Sequence, residues 1–103
     1  MIPSSLKIGG FTVSVCMDKE TQKLLDEKCI YGQYSSLQLQ IRLKNDLIPE
    51  LFNYTFLHEL IHAIDNIYCS DKLDEGTVNG IANGLLQVFE QLGIRFSINE
   101  RKR

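Results

Sequence analysis

The sequence predicts an α+β domain, a small and mostly antiparallel sheet packed on two long helices. Three observations carry that prediction. Apolar residues alternate with polar ones along two early segments, Lys7 to Val15 and Ser35 to Lys44. From Pro49 onward they recur at helical spacing, in two separate blocks. The 103 residues suffice for one core and no second domain, so residues 1–103 read as a single domain.

Each element follows from local pattern. Phe11, Val13 and Val15 fall on one face of the first strand region, and Gly9-Gly10 suits a tight turn or bulge in an initial hairpin. Asp18 to Lys28 is polar except for Leu24 and Leu25, which fits a loop or a short surface helix. Leu37, Leu39, Ile41 and Leu43 alternate with polar neighbours and predict one continuous strand from Ser35 to Lys44. Asn45-Asp46 ends that strand and can cap a helix, and Pro49 suits a first helical turn. The first long helix runs from Pro49 to about Cys69.

A second helix starts near Asp74, whose carboxylate can cap it, with Leu73 and Val78 as a hydrophobic staple. Its apolar stripe includes Val78, Ala82, Leu85, Phe89 and Leu92, and Gly93 stands where a stop belongs. Gly76, Gly80 and Gly84 share one stripe and predict close approach of another helix. Ile94 to Ile98 reads as a short closing strand.

Composition narrows the function classes. A net charge of -2 gives no electrostatic reason to expect nucleic acid, and Arg101-Lys102-Arg103 reads as a solvated tail. No segment approaches the ~20 apolar residues of a membrane span, and no signal peptide is expected from the first residues. Cys16, Cys29 and Cys69 are odd in number and form no CxxC pair, which points to a reducing, cytoplasmic compartment.

The chemistry concentrates in His58-Glu59-Leu60-Ile61-His62. Residues four apart share a helix face, so both imidazoles can reach one metal ion while Glu59 flanks it. Zinc lowers the pKa of its water to about 7, and a flanking carboxylate can take the proton. The chain's two histidines both fall in this motif, inside an apolar helix where charge is costly. Glu75, in the first turn of the next helix, is the expected third ligand, brought back by a turn at Ser70-Asp71-Lys72. Asn79 lies one turn further on and is expected to hydrogen-bond a ligand histidine. Asp65 shares the histidines' stripe and can orient His62 or ligate the metal itself; Cys69 reads as packing.

The run H-E-L-I-H-A-I-D, then L-D-E-G-T-V-N-G-I-A-N-G-L, resembles the compact gluzincin metallopeptidases. Within them it is most similar to small phage- and prophage-associated proteins related to the ImmA/IrrE family. The likeness covers about Gly32 to Leu92 and implies a minimal zincin-like domain. It implies His58, His62 and Glu75 as ligands, Glu59 as general base and Asn79 behind them. It also implies a peptide or protein substrate paired along the strand Leu37–Leu43. Larger relatives add further domains and an oxyanion-stabilising His or Tyr. Here Tyr31 and Tyr34 are the first candidates for that role, with Tyr54, Tyr68 and Arg95 behind them. The alternative is a metal-stapled binding module of phage origin without turnover.

Overall fold

The computed structural model describes residues 2–98; the basic tail Arg101-Lys102-Arg103 lies outside the described residues. The order is β1 (Ser5–Ile8), β2 (Phe11–Cys16), α1 (Lys19–Lys28), β3 (Gly32–Ser35), β4 (Gln40–Leu43), α2 (Pro49–Tyr68) and α3 (Glu75–Leu92). The fold is α+β, with a mixed sheet of order β1-β2-β4-β3. The β1–β2 and β3–β4 pairings are antiparallel and β2–β4 is parallel.

Gly9 and Gly10 make the turn between β1 and β2, with Ile8 opposite Phe11. Gly9 sits at φ +62°, which glycine adopts at no steric cost. Val13 and Val15 turn inward as the alternation requires, but Phe11 at the hairpin end is exposed. Polar Asp18 to Lys28 resolves into a helix: Asp18 accepts from the Thr21 N–H at 2.9 Å and Cys29 closes it in the left-handed region. Its Gln22 Nε2 donates to the Leu43 carbonyl at 2.8 Å, which ties α1 to β4.

The continuous strand expected from Ser35 to Lys44 is two strands. The chain turns over residues 36–39, Leu39 takes φ 52°, and Gln38 N donates to Ser35 Oγ at 3.3 Å. Leu37 is therefore 94% exposed at a hairpin tip, while Ile41 and Leu43 are fully buried. The alternation of leucines ran through a turn that Ser35-Ser36 can make. On the outer face of this hairpin the Arg42 guanidinium donates to the side-chain carbonyls of Gln33, Gln38 and Gln40.

Helix α2 is apolar nearly all round because it is covered twice. Phe52, Phe56 and Ala63 pack against Val13, Val15, Ile41 and Leu43 of the sheet. Leu57 and Ile61 pack against Val78 and Ala82 of α3. Each large side chain so buried contributes about 1.5–3 kcal/mol. Its N-cap is Ile48, with no side-chain cap bond, rather than Asn45 or Asp46; Pro49 follows and has no N–H to satisfy. The segment Ile94 to Ile98 forms no strand. Buried Asn53 holds it instead, accepting from the Phe96 N–H at 2.7 Å and donating to the Phe96 carbonyl at 2.9 Å.

Helix α3 packs chiefly on α2. Asp74 caps it, accepting from the Thr77 N–H at 2.7 Å, and Gly93 ends it at φ 74°. The Thr77 hydrogen bonds hold the Asp74 carboxyl below its ordinary value. A depressed carboxyl contributes stability above its unfolded pKa, and that contribution is lost as pH falls through the folded value. Asp74→Ala is thus expected to lower the Tm at neutral pH and to converge with wild type in strong acid. Thermal melts across about pH 2 to 7 measure this.

The glycine stripe does not mediate helix approach. Gly76, Gly80 and Gly84 are exposed, and a Cβ on Gly80 or Gly84 would meet nothing within 4 Å. Val78 and Ala82, on the opposite side, make the contact with α2. Nothing in the fold requires glycine at positions 80 and 84. Gly80→Ala and Gly84→Ala are each expected to stabilise the protein by about 0.5–1 kcal/mol, read by urea denaturation.

Gly32 is the opposite case. A Cβ there would lie 2.6 Å from Thr55 Cγ2 and 3.2 Å from both Glu59 Cγ and the Arg42 carbonyl. Only a bare backbone lets β3 lie this close to α2. Gly32→Ala is expected to destabilise by about 1–3 kcal/mol, and adding Thr55→Ser, which removes Cγ2, to recover part of the loss. Denaturation of the single and double variants checks the pair.

Candidate metal centre

Helix α2 projects Tyr54, His58 and His62 at successive four-residue steps along one face, towards α3. The His58 and His62 rings lie 4.7 Å apart between centroids. Glu75, the first residue of α3, comes back against them. Its Oε1 is 3.0 Å from His62 Nε2 and 3.5 Å from His58 Nε2. On the other side of the His58 ring, Nδ1 lies 3.1 Å from Glu59 Oε2.

The contacts on the two sides of the His58 ring constrain one another. If Nδ1–H of His58 donates to Glu59, its Nε2 carries a lone pair facing the Glu75 oxygen. Two such atoms repel unless a proton or a cation stands between them. A tetrahedral site with metal–ligand bonds near 2.0–2.1 Å has ligand–ligand edges of about 3.3 Å, which the two Glu75 distances bracket. His58, Glu59 and His62 also offer one ligand atom each within 4.8 Å of one another. The donor set can therefore hold a metal ion. Of the two carboxylates, Glu75 faces both Nε2 atoms, whereas Glu59 touches the far nitrogen of His58.

Glu59 is buried, at 7% exposure, and this burial raises its carboxyl above the ordinary range against the opposing pull of His58. Glu75 is open to solvent, with a side chain 64% exposed. The residues open into a cleft of about 370 Å³, also lined by Gln33, Tyr34, Ser36 and Asp71.

The turn that returns Glu75 is held by Asp65. The Asp65 carboxylate, 3% exposed, accepts from the backbone N–H of Lys72 at 3.0 Å and of Leu73 at 3.2 Å. Its carbonyl accepts from Cys69 and Asp71. Asp65 thus neither orients His62 nor joins the donor set. It points into the interhelical turn because the unpaired amides at the start of the next segment attract it.

Asn79 lies one turn beyond Glu75, as expected, but its Oδ1 accepts from the Tyr54 hydroxyl at 3.0 Å instead of bonding a histidine. The Tyr54 ring stands 5.7 Å from that of His58, so Asn79 reaches the site through Tyr54. Tyr34 lines the cleft, yet its hydroxyl donates to Asn66 Oδ1 at 2.9 Å. Tyr31 is exposed and lines a smaller adjoining cavity. Cys69 is an exposed free thiol just past α2, rather than a packing residue.

The strand expected to receive substrate is misplaced by the sequence. Leu37 and Leu39 lie in a turn, and β4 is an interior strand with both sides paired by β2 and β3. The edge strand bordering the cleft is β3, through Gly32, Gln33 and Tyr34. Sequence reasoning also passed over Gly32, Asn66 and Asp71. A glycine opening a strand is a signal for close backbone approach and was available for Gly32. Among the described residues no helix is long and apolar enough to cross a membrane. No family model, no curated protein and no solved structure matches the chain.

Proposed function

We propose that this chain is a zinc-dependent hydrolase, a compact peptidase of the gluzincin kind similar to ImmA/IrrE-related proteins. The observation that carries the reading is the convergence of His58 Nε2 and His62 Nε2 on Glu75 Oε1, at 3.5 and 3.0 Å, beside buried Glu59 and an open cleft. Two imidazoles and one carboxylate match the preferences of catalytic zinc, which leaves a fourth position for water or substrate. Bound there, zinc would polarise the scissile carbonyl and acidify water.

The chain's own groups do the rest. Glu59 would take the proton of the attacking water at Oε1, the carboxylate oxygen that His58 does not engage, and its upward-shifted pKa brings it nearer the working pH of a general base. Glu59 Oε2 stands 3.1 Å from His58 Nδ1, placed to accept its N–H, which would leave the Nε2 lone pair directed at the site. Strand β3 offers its free edge to an extended peptide, which lays the peptide bond beside Glu59. Free Cys16, Cys29 and Cys69 support a reducing, cytoplasmic setting.

The test is metal analysis of the purified protein together with peptide-library cleavage by wild type and Glu59→Gln. The expected result is one zinc per chain and cleavage that the substitution removes; absence of zinc, or persistent cleavage by the variant, overturns the reading. One observation favours a second reading, a metal-stapled binding module: the Tyr34 hydroxyl is already committed to Asn66. That module would hold zinc, lose thermal stability with chelator and cleave nothing.

A further inference from the structure

We infer that the cleft selects peptides carrying a cationic side chain beside a ring-bearing one; this rests on the peptidase reading and specifies its substrate class. Two cavities meet at the site. One measures about 370 Å³ and the other about 150 Å³, and Gly32, His58 and Glu59 line both. The groups placed for bond cleavage therefore form the divide between two lobes, and neighbouring side chains of an extended peptide enter opposite lobes.

The lobes differ in chemistry. Among the residues lining the larger one are the carboxylates of Glu59, Glu75 and Asp71, and no Lys or Arg. Glu59 and Glu75 are engaged by the histidines, whereas Asp71 forms no ion pair among the described residues. It is fixed all the same. Asn66 Nδ2 donates to both Asp71 carboxylate oxygens, at 3.3 and 3.1 Å, and Tyr34 orients Asn66 from behind. Asn66, a neutral donor, holds the carboxylate in place and no cationic side chain among the described residues pairs with it, which leaves it available to an ammonium or guanidinium.

The smaller lobe is walled by the Tyr31 and Tyr54 rings and by Thr55. A cavity of about 150 Å³ accommodates one benzene ring. Tyr54 is held by its bond to Asn79, so this wall is rigid on one side. Tyrosine side chains lining a cavity favour a third ring, offset or edge-on, or a flat apolar group against them.

The experiment measures binding, so that it does not depend on turnover. Fluorescein-labelled heptapeptides with Lys-Phe or Phe-Lys at the centre are titrated into Glu59→Gln protein and read by anisotropy. Matched peptides replace Lys by norleucine or Phe by alanine. In one of the two orders, the parent peptide should bind about tenfold more tightly than either replacement. Asp71→Asn should erase the Lys advantage and keep the Phe advantage. Asparagine suits the left-handed backbone at position 71, φ 58°, so that variant is expected to fold. Tyr31→Ala, at an exposed position, should do the reverse. Equal affinities across the peptides, no binding by any of them, or advantages that survive both substitutions overturn the inference. Wild type that binds with this preference and cleaves nothing overturns the hydrolase reading alone; cleavage without preference overturns the selectivity alone.

Discussion

Glu59→Gln is expected to lower peptide hydrolysis by about 10²–10⁴-fold while leaving zinc content and fold intact. The two side chains have the same shape. A glutamine carbonyl oxygen can still accept from His58 Nδ1, at the position where Glu59 Oε2 lies 3.1 Å away. What disappears is the acceptor for a proton. The same change has a predictable sign for stability. Burial raises the Glu59 carboxyl above its ordinary value, so in the metal-free protein its ionisation works against the folded state once pH exceeds the unfolded pKa. The neutral amide is free of that cost. Metal-free Glu59→Gln protein is expected to melt at or above the wild-type Tm at neutral pH, a trade of stability for activity often seen at active sites. Calorimetry with chelator present checks the sign, and a lower Tm for the variant would contradict it.

Asp65→Ala has the largest expected effect on stability. Its carboxylate satisfies the amides of Lys72 and Leu73 from a position only 3% exposed. Hydrogen bonds to a charged acceptor contribute about 1.5–3 kcal/mol each, and truncation leaves the donors without that partner. A net loss of about 2–4 kcal/mol is expected, which for a domain of this size lowers the Tm by roughly 10–20 °C. Zinc affinity should fall with it, because the turn that brings Glu75 to the histidines loosens. Asp65→Asn retains one acceptor and should fall between. Melts and competitive chelator titrations of both variants test this, and unchanged zinc affinity in Asp65→Ala would refute the link.

Much of this arrangement was legible in the sequence because it depends on local periodicity. Four-residue spacing on an apolar helix sets His58 beside His62, and Asp74 as a cap fixes where α3 begins and hence where Glu75 lies. Legibility ended where one type of pattern has two outcomes. The alternating leucines of residues 37–43 fit a long strand or a hairpin equally, and only pairing with β2 and β3 decides. Asp65 was grouped with the histidines by spacing alone, but the demand of two unpaired amides turned it the other way. The glycines of α3 share a stripe, and nothing in a stripe tells which side another helix will cover. Asp71 carried no pattern at all, since its setting depends on Asn66 and on Tyr34 from a distant strand.

The short link between the two long helices has a consequence for how this chain can change. Surface turns usually absorb insertions and deletions at little cost. Here Leu73 is tethered by Asp65, and Glu75 comes after a single intervening residue. One residue added between Asp74 and Glu75 would rotate α3, Glu75 included, by about 100° relative to its cap. Every chemically active side chain would survive in the sequence and the sheet would keep its packing, yet the acid would swing away from the imidazoles. Length at this point is therefore under tighter constraint than residue identity in the core, where similar apolar side chains can replace one another.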